Sequence, residues 1–96
     1  MISPLSAPER EIALSRLLGW VYDTDKKALY LSLNLPDFCE AFGLMTRIAL
    51  EAEKLGHHPE WFNVYGTLQI WLQTHDADNA VSELDVELAT RINGFL

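Results

Sequence analysis

Leu29, Leu31, Leu33 and Leu35 alternate with Tyr30, Ser32 and Asn34. A period of two puts the four leucines on one side of an extended chain and the polar residues on the other. A strand of this kind has one face to bury, so it needs both partner strands and a covering layer. Residues 67–74 repeat the pattern, with Leu68, Ile70 and Leu72 sharing one side and Gln69, Trp71 and Gln73 the other. Residues 20–22 and 61–65 read as shorter strands. The polar run 23–27 and Gly66 supply the turns.

Three segments read as helices and form the covering layer. Ser6-Ala7-Pro8-Glu9 is a capping box with a proline in the first turn, and Gly19 is the expected stop. Ile12, Leu14, Leu17 and Leu18 form its apolar side. Asp37 caps a second helix, with Glu40 three residues on; Gly56 ends it and Pro59 forbids continuation. Phe38, Phe42, Met45, Ala49 and Ala52 step by three or four, widened by Ile48 and Leu55. That stripe is expected to be core. Ser82 caps a third helix carrying Leu84, Leu88, Ile92 and Phe95. Asp85, in its first turn, reads as a capping and dipole residue.

The expected fold is therefore α+β, a two-layer sandwich. A four-stranded antiparallel sheet carries helices on one face, in a single domain over residues 1–96. Tyr30, Ser32, Gln69, Trp71 and Gln73 would show on the other face. Two unpaired sheet edges favour self-association.

Composition bounds the partners. With 96 residues and 49% hydrophobic content, one core can form. A net charge of -7 argues against a phosphate-backbone binder, so nucleic acid is not an expected partner. Apolar runs are short and the N-terminus lacks a signal pattern, so neither a membrane nor secretion is expected. The single cysteine, Cys39, makes no internal disulfide, which suits the cytoplasm.

The three histidines fall at two element ends. His57 and His58 follow the second helix, held between Gly56 and Pro59. Glu53 stands four residues before His57, a helical spacing that lets its carboxylate orient an imidazole. His75 follows the last strand. The plainer reading is polar residues facing water at helix and strand exits; the functional one is imidazoles poised for proton transfer near neutral pH. Zinc is the weaker reading, because adjacent histidines diverge and no cysteine pair supports a site. Trp61, beside the histidine pair, and Trp20 are candidates for stacking on a planar ligand, although such aromatics are more often core. No phosphate loop or nucleophile elbow is present, and nothing marks Cys39 as activated.

The run AFGLMTRIALEAEKLGHHPEWFNVY, residues 41–65, closely resembles the pterin-4a-carbinolamine dehydratase family. The family pattern is an acidic residue four before His-His-Pro, an aromatic six after the proline, a histidine ten further on and a later aspartate. Glu53, His57, His58, Pro59, Tyr65, His75 and Asp85 fill it. The resemblance runs over nearly the whole chain and implies dehydration of 4a-hydroxytetrahydropterin to quinonoid dihydropterin. It implies catalytic roles for His57, His58 and His75. It implies pterin contacts from His57, His58, Pro59, Thr74, His75, Asp76 and Ala77. On this reading His57 and His75 carry the acid–base work, His58 positions the ring or shares that work, and Glu53 holds an imidazole's tautomer. No bound cofactor is implied, since the pterin is the substrate. A homodimer or homotetramer and a link to an aromatic amino acid hydroxylase are implied partners. An interaction scaffold or transcriptional co-regulator on the same fold is the alternative. Residues 76–81 depart from the family by lacking a glycine often found there. Asn79 is expected to take the left-handed turn in its place.

Overall fold

A computed structural model describes residues 2–96. Its elements are α1 (Ala7–Leu14), β1 (Val21–Asp23), β2 (Ala28–Asn34), α2 (Phe38–Leu55), β3 (Glu60–Val64), β4 (Thr67–Leu72) and α3 (Glu83–Asn93), with a single 3-10 turn at His75–Ala77. The strands form one antiparallel sheet in the order β1-β2-β4-β3. The chain leaves β2, crosses the sheet through α2 and returns on the far edge as β3. It then turns back so that β4 fills the centre.

Register confirms the period-two reading. Leu29, Leu31 and Leu33 pair with Leu72, Ile70 and Leu68. These side chains meet Leu44, Ile48 and Ala52 of α2 and Leu88, Ala89 and Ile92 of α3 in one buried cluster, with Leu33 half-buried against it. The opposite face is covered by its own side chains. The Tyr30 and Trp71 rings lie 5.0 Å apart. Gln69 Nε2 donates to the Tyr30 hydroxyl at 2.7 Å, and Trp71 Nε1 donates to Asp23 Oδ2 at 3.0 Å.

The Tyr65-Gly66 turn between β3 and β4 has a steric cause. Leu35 N–H donates to Gly66 O at 2.7 Å, and a Cβ on Gly66 would lie 2.3 Å from Leu35 O. Only glycine admits that approach.

Two apolar stripes differ from expectation. The first helix stops at Leu14 rather than running to Gly19, and of its expected apolar side Ile12 and Leu18 are exposed. On α2, Phe38 and Phe42 are about half exposed, and the buried row is Ala41-Leu44-Ile48-Ala52. Both rows step by three or four and both are apolar. Periodicity cannot choose between adjacent rows. Ser6, Asp37 and Ser82 cap their helices as expected, and Gly56 ends α2 in the left-handed conformation.

Candidate active site

Gly56, at φ 63, turns the chain off α2, and His57 N–H donates back to Ala52 O at 3.1 Å. This Schellman closure fixes the backbone on which both histidines ride. It sends them apart, His57 inward and His58 into solvent.

His57 is 8% exposed, and its Nε2 lies 2.5 Å from Asp85 Oδ1. Asp85 has no exposed surface. Its other oxygen accepts from Thr74 Oγ1 at 2.7 Å and from Ser82 N–H at 2.8 Å. Thr74 Oγ1 and Ser82 Oγ are 2.6 Å apart, and Leu84 N–H donates to Ser82 Oγ at 3.2 Å. Each hydroxyl has one proton. Thr74 gives its proton to Asp85, so Ser82 must give its own to Thr74. The chain of donors runs Leu84, Ser82, Thr74, Asp85, and every buried polar atom in it is paired. A carboxylate accepts only, so the His57 proton in this bond sits on Nε2 and Nδ1 is the nitrogen left for a ligand.

The same carboxylate joins three elements. His57 lies just beyond α2, Thr74 just beyond β4, and Asp85 in the first turn of α3. His75, next after Thr74, is thereby carried to the same end of the molecule as His57. It is not on the strand, since β4 ends at Leu72 and His75 opens the 3-10 turn.

Glu53 meets His58, not His57; Oε1 and Nε2 are 2.6 Å apart and both side chains are largely exposed. The helix ends at Leu55, and the turn at Gly56 breaks the four-residue spacing on which the expectation rested. The orienting carboxylate of His57 is Asp85, the residue expected to cap α3. It does both jobs, since its Oδ2 closes the capping box with Ser82. The signal was the late aspartate of the motif, and full burial of a first-turn aspartate is what raises it above a cap.

Trp20 is corrected from stacking candidate to core residue. It is 4% exposed, and its Nε1 donates to Asn93 Oδ1 at 2.9 Å. Trp61 is half-buried against the core from β3. Pro59 is half-buried and Asp76 exposed. Ala77 is buried at 2%, its N–H donating to Thr74 O and its carbonyl accepting from the Ala80 N–H, both at 3.0 Å. Thr74 is buried as well, its hydroxyl committed to Asp85. In the 76–81 loop Asn79 takes the left-handed turn, φ 54, and Asp78 does too, φ 58.

Among the described residues no three His, Cys, Asp or Glu side chains converge as a metal site requires. Nor is any helix long and apolar enough to cross a membrane. Two clefts of about 670 and 660 Å³ lie along α1 and α3, lined by residues such as Leu5, Glu9, Glu83 and Glu87. Neither is lined by a histidine. Of the carboxylates lining them, Glu9 is engaged with the Ser6 N–H at 2.8 Å and Glu87 with Arg91 Nε at 3.3 Å.

An α+β domain that braces a histidine with a buried carboxylate, and sets two more at adjoining element ends, carries groups for general acid–base chemistry. Comparison with known proteins gives the family. Residues 3–95 match the model of the pterin 4 alpha carbinolamine dehydratase family, and the chain belongs to that family. It is 46% identical over 93 residues to a Burkholderia multivorans protein named "Putative pterin-4-alpha-carbinolamine dehydratase", covering 97% of this chain and 90% of that one. A Paraburkholderia xenovorans protein of the same name is 45% identical over 95 residues, covering 99% and 98%. A crystal structure of a transcriptional coactivator/pterin dehydratase from Brucella melitensis matches with a TM-score of 0.91 and 42% identity. It covers 96% of this chain and 97% of that one.

Proposed function

We propose that this chain is a 4a-hydroxytetrahydrobiopterin dehydratase that recycles tetrahydropterin after aromatic amino acid hydroxylation. The observation that carries the reading is the anchored His57, joined through Asp85 to the segment bearing His75, in a chain of this family. In the reaction the C4a–O bond breaks and the hydroxyl leaves as water with a proton from an acid. A base takes the N5 proton, and the N5 electron pair forms the C4a=N5 double bond. Atoms and charge balance with no resident cofactor, the pterin being substrate.

His57 and His75 serve as the proton donor and acceptor, each contributing about 10²–10⁴-fold. His58, held by Glu53, positions the ring. Backbone groups of residues 57–59 and 74–77 bind its polar edge. Stopped-flow dehydration of synthetic 4a-carbinolamine tests the proposal. Acceleration by the wild type and loss of it in His75→Ala support it; equal rates with and without protein refute it.

A homo-oligomer is part of the proposal. Phe38 and Phe42 stack at 5.8 Å on the outer side of α2, about half exposed, and β3 is an unpaired edge bearing exposed Phe62 and Val64. Sedimentation of the wild type against Phe42→Glu reads it. A second reading, an interaction scaffold or transcriptional co-regulator, is favoured by the description of the Brucella melitensis protein as a coactivator. A pterin that binds only the native state raises Tm, whereas a scaffold without the site shows no such rise.

A further inference from the structure

Two successive non-glycine residues, Asp78 and Asn79, adopt positive φ in the loop after His75. Left-handed backbone is uncommon for non-glycine residues, Asn and Asp tolerating it best, and two in succession persist where surrounding contacts hold them. Here those contacts can be named. The Gln73 side chain faces two carbonyls, Lys26 O at 3.0 Å and Asn79 O at 2.8 Å, and only its amide nitrogen satisfies both. It clamps the loop to the β1–β2 turn. Thr74 N–H donates to Ala80 O at 2.8 Å and closes the loop at its base. So held, Asn79 places Oδ1 3.0 Å from His75 Nδ1.

An amide oxygen accepts and never donates. With Asn79 presenting Oδ1, Nδ1 of His75 carries the proton in this contact, and the neutral ring keeps its lone pair on Nε2. We propose that Asn79 is a positioning residue for His75, fixing the Nδ1–H tautomer with Nε2 as the proton-accepting nitrogen, and that Gln73 holds Asn79 in place. The two anchored rings then present opposite nitrogens, Nδ1 from His57 and Nε2 from His75. A glycine at position 79 would make the same turn and supply no acceptor. The inference rests on the reading that His75 takes part in the dehydration, but its structural half stands apart from that reading.

Long-range ¹H–¹⁵N correlation spectra of the imidazoles, recorded at a pH where the rings are neutral, test it. Wild-type His75 is expected to show protonated Nδ1 and bare Nε2. Asn79→Gly keeps the left-handed turn and loses the acceptor; its His75 is expected to move toward the Nε2–H form that free imidazole side chains prefer. Asn79→Asp keeps an acceptor and should restore the Nδ1–H form. In turnover, Asn79→Gly should lower kcat about tenfold with KM little changed, a part of what a positioned acid–base group supplies, and Asn79→Asp should recover most of it. Wild-type His75 found with its proton on Nε2, or a tautomer unchanged in Asn79→Gly, overturns the proposal. If the tautomer responds as expected while wild-type protein shows no dehydratase activity, the functional reading fails and the positioning role remains.

Discussion

Asp85 and His57, 28 positions apart in the chain, meet at 2.5 Å where Asp85 has no exposed surface. The contact ties the end of α2 to the start of α3, and through Thr74 it also fixes the exit of β4. Fold and site share these atoms, so changes there should move both.

Asp85→Asn keeps the shape and removes one acceptor. Three donors converge on the two carboxylate oxygens: His57, Thr74 and the Ser82 amide. An asparagine that keeps its oxygen toward Thr74 and the Ser82 amide turns its NH₂ to His57, so the ring must give up the Nε2–H form or lose its partner, at a cost of about 1–3 kcal/mol. The urea midpoint should fall accordingly. An unchanged midpoint would show that the network contributes nothing to folding.

His57→Ala and His75→Ala should separate stability from activity. His57 is buried and its loss strands Asp85, so Tm and turnover should both drop. His75 is exposed, so His75→Ala should keep Tm within a degree or two and still lower turnover by about 10²-fold or more. Paired melts and stopped-flow rates decide it. Wild-type turnover in both variants is the contrary result.

What the sequence made legible followed from local rules. The leucine alternation in β2 and β4, the caps at Ser6, Asp37 and Ser82, and the stop at Gly56 each depend on residues a few positions apart, and all appear where expected. The partner of His57 did not, because Glu53 and Asp85 are both acidic and only tertiary contact decides which one reaches the ring. The burial of Trp20 and the exposure of Phe42 were hidden for the same reason. An apolar row or an aromatic ring says that surface is to be covered, not by what.

Trp20→Phe tests the core assignment. The ring volume is largely kept while the donor to Asn93 Oδ1 is lost, a cost of about 1 kcal/mol. Turnover should be unchanged. A selective rise in KM with intact stability would return Trp20 to the ligand site.

Acid sensitivity should trace partly to Asp23. The backbone amide of Lys26, and then the Trp71 indole, hold its carboxyl below the usual range. A lowered folded-state pKa gives a stabilisation that is complete above the unfolded value, about pH 4, and is lost as the pH falls through the folded value. Urea titrations of the wild type should therefore weaken below about pH 4 more steeply than those of Asp23→Asn. Parallel curves would remove Asp23 from the account.

The central claim is that a flat pterin sits where the end of α2 meets the exit of β4. Amide chemical-shift mapping with an unreactive dihydropterin tests it most directly. The account predicts shifts at residues 57–59 and 74–77, with Ile12, Val86 and Thr90 along the α1–α3 clefts unmoved. Shifts confined to those clefts, with the histidine segments silent, would contradict it.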